Sequence, residues 1–178
     1  MKIIKYAAFI LASLVITLIV FSFLVPSTYK VERSLKIYAY PDKIFDYISN
    51  IKKWQEWTIW TSKEDSTLIL TYKGPDSGVG ATQFWKSDKS GNGKITIMRS
   101  SPNESIEYML NMGGGKFVSK GKISLKPTTN GTQVTWSDSG DVGANPIAKI
   151  FAYFFMDKFM GPDFEKGLKN LKYIIEKK

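Results

Sequence analysis

Hydrophobic positions change their period several times along this chain, and each change marks an element. From Tyr6 to Val25 the run is unbroken: twenty residues without a charge, a proline or a glycine, thirteen of them Leu, Ile, Val or Phe. At about 1.5 Å per residue such a helix reaches roughly 30 Å, the hydrocarbon thickness of a bilayer. The run therefore predicts a membrane span, with Ser13, Thr17 and Ser22 able to bond back to their own helix. It ends Ser22-Phe23-Leu24-Val25-Pro26 without a small-x-small site, which favours an uncleaved anchor over a secretory signal. Lys2, Lys5 and the terminal amine favour a cytoplasmic N-terminus and a domain outside the cytoplasm, a bias diluted by Lys30, Arg33 and Lys36.

From Tyr29 to Tyr40 the period is two. Tyr29, Val31, Leu35, Ile37 and Ala39 share one face of a predicted strand, and Lys30, Glu32, Ser34 and Lys36 share the other. Pro41-Asp42 opens a short helix carrying Ile44, Phe45 and Ile48, and a second short turn carries Trp54 and Trp57. Alternation returns from Leu68 to Ser139, through Leu68/Leu70/Tyr72, Ile95/Ile97, Ile106/Tyr108/Leu110/Met112, Ile123/Leu125 and Val134/Trp136. Glycine-rich and Pro/Asn turns at 74–78, 90–93, 101–103, 113–115 and 130–131 divide it, predicting an antiparallel meander of about six strands.

A helical tract then runs from Pro146 to about Glu176. Phe164, Leu168, Leu171 and Ile175 give its second half an ordinary amphipathic spacing. In its first half, Ile147 to Met160, apolar side chains cover most of the circumference, and Lys149, Tyr153 and Asp157 form a thin polar stripe. Gly161-Pro162 between the halves predicts a kink. A strand, two small helices, a meander and a long closing helix make an α+β domain over 27–178, behind an anchor over 1–26. A curved sheet around a helix leaves room for a small apolar ligand.

Composition narrows the chemistry. The chain of 178 residues holds no cysteine and no histidine, which removes thiol catalysis, disulfides, Cys/His zinc sites and every histidine-based acid–base scheme. No cofactor, metal-ligand set or acid–base pair is legible, so no catalytic residue is assigned. The 25 basic and 16 acidic residues give a net charge of +9. A basic body tethered to a bilayer is drawn to anionic headgroups. Because the lysines are scattered without a dense stripe, no nucleic-acid partner is expected.

The segment Tyr38-Ala39-Tyr40-Pro41 through Ile44-Phe45 to Asn50-Ile51-Lys52-Lys53-Trp54-Gln55-Glu56-Trp57 resembles the opening of the START-like, or SRPBCC, superfamily. Gly74-Pro75-Asp76-Ser77-Gly78-Val79-Gly80-Ala81 is similar to that superfamily's Gly-x-Gly hairpin, and Gly161 to Lys172 resembles a bacterial polyketide cyclase/dehydrase-like subgroup. The resemblance covers Tyr29 to Ile175. It implies a helix-grip fold, seven antiparallel strands around a C-terminal helix, with a cavity for lipids, sterols, polyketides or other hydrophobic molecules. No single catalytic residue is common to the superfamily.

Two charged residues stand in phase with apolar neighbours: Arg33 with Val31 and Leu35, and Asp138 with Val134 and Trp136. Each either faces the apolar side as a polar anchor for a ligand or sits wet at a strand end. Trp54, Trp57 and Trp60 either plug the gap between small helices and sheet or rim an opening, the plug being favoured. The candidate ligand-binding set is Arg33, Trp85, Tyr108, Trp136, Asp138, Phe151, Phe155 and Phe159. Part of the aromatic helix is expected to line the cavity and part to form a portal near the membrane. The leading function is a membrane-anchored module binding a hydrophobic small molecule or lipid. A polyketide cyclase/dehydrase-like enzyme and an interaction domain with a collapsed cavity are the alternatives.

Overall fold

The computed structural model describes residues 2–177; Met1, whose amine enters the expected orientation, and Lys178 lie outside them. The apolar run forms helix α1 (Lys2–Leu24). Of this helix, Ile3–Leu24 is long and apolar enough to cross a membrane, which makes it a candidate anchor or signal sequence. Its hydroxyls serve its own backbone: Ser13 donates to the Ile10 carbonyl at 2.9 Å and Thr17 to that of Ser13 at 2.8 Å. That removes the polar penalty a hydroxyl would carry in lipid. Its C-terminal end meets the rest of the chain: Ser22 and, just beyond the helix, Val25 are buried, and Phe21 stacks on Phe154 at 6.1 Å.

Strand β1 (Thr28–Ile37) follows after three residues. It stops short of the expected Tyr40, because its partner strand turns at Gly131 and the last pair is Ile37 with Thr132. Helix α2 (Pro41–Ser49) starts on its proline, and Asn50 caps the next turn by accepting from the Lys52 and Lys53 amides at 3.0 and 3.4 Å. Helix α3 (Trp54–Trp57) brings both its tryptophans into the core. The meander consists of β2 (Ile69–Lys73), β3 (Thr82–Ser87), β4 (Gly91–Ser101), β5 (Ser105–Met112), β6 (Phe117–Thr128) and β7 (Gly131–Asp141). These are the six expected strands. The sheet is antiparallel throughout, in the order β1-β7-β6-β5-β4-β3-β2.

Helix α4 (Pro146–Lys177) closes the fold, capped by Asn145, whose side-chain oxygen accepts from the Ile147 and Ala148 amides at 3.0 and 3.1 Å. It is one helix of 32 residues, and its helical span continues through Pro162. What changes at Gly161-Pro162 is burial. Beyond it, Phe164, Gly167, Leu168, Leu171 and Ile175 face the core; before it, only Ala152 and Met156 are buried. The helix lies mainly along β1. Seven antiparallel strands with a long C-terminal helix against the curved sheet form the helix-grip architecture.

Candidate functional site

Register decides which side chains share the inner face of the sheet. One row across it reads Ile97, Tyr108, Gly121, Asp138 and Val31; the next reads Ile95, Leu110, Ser119, Gly140 and Tyr29. On one side of these rows the interior is filled. Trp136 stacks on Phe164 at 4.3 Å and meets Trp57 at 5.0 Å, Trp60 at 5.9 Å and Trp54 at 6.4 Å. Trp54 and Trp57 are therefore the expected plug, while Trp60 remains 40% exposed.

On the other side the inner face opens. Trp85, Leu110, Met112 and Phe117 are only half-buried. A shallow cleft of about 390 Å³ lies at the sheet margin, where Trp85 and Gly93 of the inner face meet Phe84, Lys94 and Asn111 of the outer one. A second cleft, of about 520 Å³, lies at the far end among Tyr38, Tyr40, Asn130 and Ile175. Neither is a chamber enclosed by the sheet and the apolar half of α4. The open end is also where β1 begins just after α1 and where α4 begins just after β7.

A polar group sits in the floor of this end. The Tyr29 hydroxyl donates to Asp138 Oδ1 at 3.1 Å and the Ser119 hydroxyl to Oδ2 at 3.0 Å, and Asp138 is 1% exposed. Burial pushes the Asp138 carboxyl up to about 6, against the opposing pull of the two hydroxyls. Burial and the charge of Asp138 likewise raise Tyr29 and Tyr108. Trp136 Nε1 donates to the Tyr108 hydroxyl at 2.8 Å, tying the floor to the aromatic plug. Glycines make room for both tyrosine rings. A Cβ on Gly121 would stand 1.8 Å from Tyr108 Cζ, and one on Gly140 would stand 2.7 Å from the Tyr29 ring.

Gly121→Ala is therefore expected to destabilise the fold by about 1–3 kcal/mol through forced displacement of the Tyr108 ring. Thermal unfolding checks it. Adding Tyr108→Leu should recover part of the loss, and equal losses with and without Tyr108 would mean that the ring is not the obstacle.

The other sequence-derived candidates separate. Arg33 begins on the inner face opposite Trp136, but its guanidinium is taken by α4. It is bidentate to Asp157 at 2.7 and 2.9 Å and bonds Glu165 at 2.8 Å. A Cβ on Gly161 would fall 2.0 Å from Arg33 Nη2, so the glycine admits the clamp. Asp157 is held below the usual carboxylate range by Arg33. Arg33 thus fastens helix to strand and is not the free polar anchor expected of it. Phe151, Phe155 and Phe159 are exposed, in a row next to the buried Ala152 and Met156. Sequence reasoning missed Tyr29 and Ser119 as partners of Asp138, and Gln83, whose amide oxygen is buried without a partner among the described residues. The in-phase run Phe117, Ser119, Gly121, Ile123 carries the signal, since small and polar residues interrupt an otherwise apolar face.

A family model described as polyketide cyclase/dehydrase and lipid transport matches residues 28–176. The chain belongs to that family. The fold recurs in solved structures: a protein from Mesorhizobium loti (MLL2253) is 16% identical with a TM-score of 0.60, the match covering 83% of this chain and 97% of that one. Ara h 8.0201 is 13% identical with a TM-score of 0.60, over 85% and 99% of the two chains. Protein CV1439 from Chromobacterium violaceum is 15% identical with a TM-score of 0.58, over 83% and 96%. No curated protein matches the chain. Family membership supports binding of hydrophobic ligands in general.

Proposed function

We propose that the chain is a membrane-anchored binding module. Residues 1–26 hold it in the bilayer, with the N-terminus cytoplasmic and the domain of residues 27–178 outside. The domain takes a lipid or other apolar small molecule at the open end of the inner sheet face. One observation carries this reading: apolar side chains around a single buried carboxyl group stay half-uncovered at the end of the fold adjoining α1. Trp85, Leu110, Met112 and Phe117 offer apolar contact; Asp138, with Tyr29 and Ser119, offers a polar anchor; Tyr108 and Trp136 back it. The unpaired Gln83 oxygen is a further acceptor, and leaving it unpaired costs about 1–3 kcal/mol.

The test is binding of an environment-sensitive apolar probe to a chain beginning at Ser27. Stoichiometric binding displaced by lipid is expected, with Trp85→Ala and Phe117→Ala weakening it about tenfold, or about 1.4 kcal/mol, while folding persists. Background binding by a folded domain would replace this reading with the interaction-domain one. A second reading, an enzyme of the polyketide cyclase type, is favoured by one feature: Asp138 with a carboxyl near 6 beside a tyrosine hydroxyl, a pairing suited to proton transfer. Turnover of a polyketide-like substrate abolished by Asp138→Asn would select it.

A further inference from the structure

We infer that the first half of α4 is an interfacial helix, lying in the headgroup region of the bilayer that α1 enters. The inference rests on the reading of α1 as an anchor and extends it to a second membrane contact. Ile147 is 80% exposed, Phe154 46%, Phe155 51% and Phe159 69%, with Phe151 beside them at 44%. At 100° per residue these five fall within a band of about 140° on the helix. Their rings are already gathered: Phe151 stacks on Phe155 at 5.9 Å, and Phe155 lies 6.4 Å from Phe154. A contiguous apolar face of this kind on a soluble surface marks an interaction site.

Continuity and charge choose the occupant. Phe154 stacks on Phe21 in the last turns of α1, so the band begins where the candidate span ends. Lys158 projects from the middle of the band, and its neighbour Asp157 is already spent on Arg33. A second copy of the chain covering this face would bury the Lys158 ammonium with no acid of the band to receive it, at a high desolvation penalty. At a bilayer surface the lysine stem lies along the apolar face and its ammonium reaches a lipid phosphate. From Ile147 to Phe159 the helix extends roughly 20 Å, enough to lie in the interface and too short to span it. The docked band sets the open end of the sheet against the lipid surface.

The chain has no cysteine, so single labels are clean. Full-length protein carrying a nitroxide on Val15→Cys, Phe155→Cys or Lys126→Cys is reconstituted in vesicles of phosphatidylcholine with phosphatidylglycerol. Oxygen should reach the first two labels and a water-soluble nickel complex should not, with the ratio of the two accessibilities several-fold above that at Lys126→Cys. Nickel access at Phe155→Cys with Val15→Cys shielded overturns the interfacial helix and leaves the anchor. Nickel access at both removes the anchor and the inference together. A Phe155→Cys label shielded from both reagents, with dipolar broadening between chains, overturns it in favour of a second copy.

Discussion

Replacing Trp136 by alanine is expected to remove about 3–5 kcal/mol of folding stability, the range for deleting a large buried aromatic. The ring is 1% exposed and wedged between sheet and helix, face to face with Phe164 and edge-on to Trp54, Trp57 and Trp60. Gly167 is the helical position that admits it, since a Cβ there would lie 2.8 Å from Trp136 Cζ3. Truncation leaves a void that four rigid rings cannot collapse into, and strips the Tyr108 hydroxyl of its donor. Domains of this size have total stabilities of about 5–15 kcal/mol, so the variant stands near the threshold of folding. Urea unfolding followed by circular dichroism checks it. Trp136→Phe, which keeps one aromatic ring but loses the N–H and part of the indole's volume, should cost less than alanine, about 1–3 kcal/mol. A loss below about 1 kcal/mol for alanine would show that the rings repack without it.

Stability should fall as pH rises from about 4 to 6, through Asp138. Its ordinary value is 3.8 and its folded value is about 6, so between these the folded chain holds a proton the unfolded chain has released. The folded state is thereby favoured at the acidic end, and by the end of the window the contribution lost is on the order of 3 kcal/mol. Asp65, Asp141 and Asp157 are shifted the other way, by hydrogen bonds and positive neighbours, and lose their stabilising contributions as pH falls. The comparison with Asp138→Asn isolates the buried group. The amide can still accept from one hydroxyl and donate to the other, so the variant should be more stable than the parent at pH 7 and should lack the decline between pH 4 and 6. Parallel pH profiles for the two proteins would mean that Asp138 is not buried as described.

Much of the fold was legible because burial on one face writes itself as a period. β1, five of the six meander strands and α4 all carried that signal, and the turn glycines separated them. β3 did not: Thr82-Gln83-Phe84-Trp85-Lys86-Ser87 buries Thr82 and Gln83 in succession, so polarity and burial lose their alternation, and only the flanking turns implied a strand. The site was legible in part. Asp138 could be placed in phase with Trp136, but its partners Tyr29 and Ser119 come from strands far apart in sequence, and cross-strand register is not written in local spacing. Arg33 misled for a related reason. Its Cα faces inward, but a long flexible side chain on an edge strand reaches over to Asp157 and Glu165, which only the packing of α4 reveals.

The shortness of the link between Leu24 and Thr28 has a consequence for how far the domain can travel. Three residues extend at most about 10 Å, and Ser27 is already bonded to Val142 across the sheet edge, with a 3.0 Å contact from the Val142 amide. With α1 in a bilayer, such a domain is on a leash much shorter than its own diameter. It cannot ferry cargo across an aqueous gap to a facing membrane. Whatever it captures or releases must come from the leaflet beneath it or from a partner that arrives at that leaflet, so its encounters are governed by lateral diffusion in two dimensions.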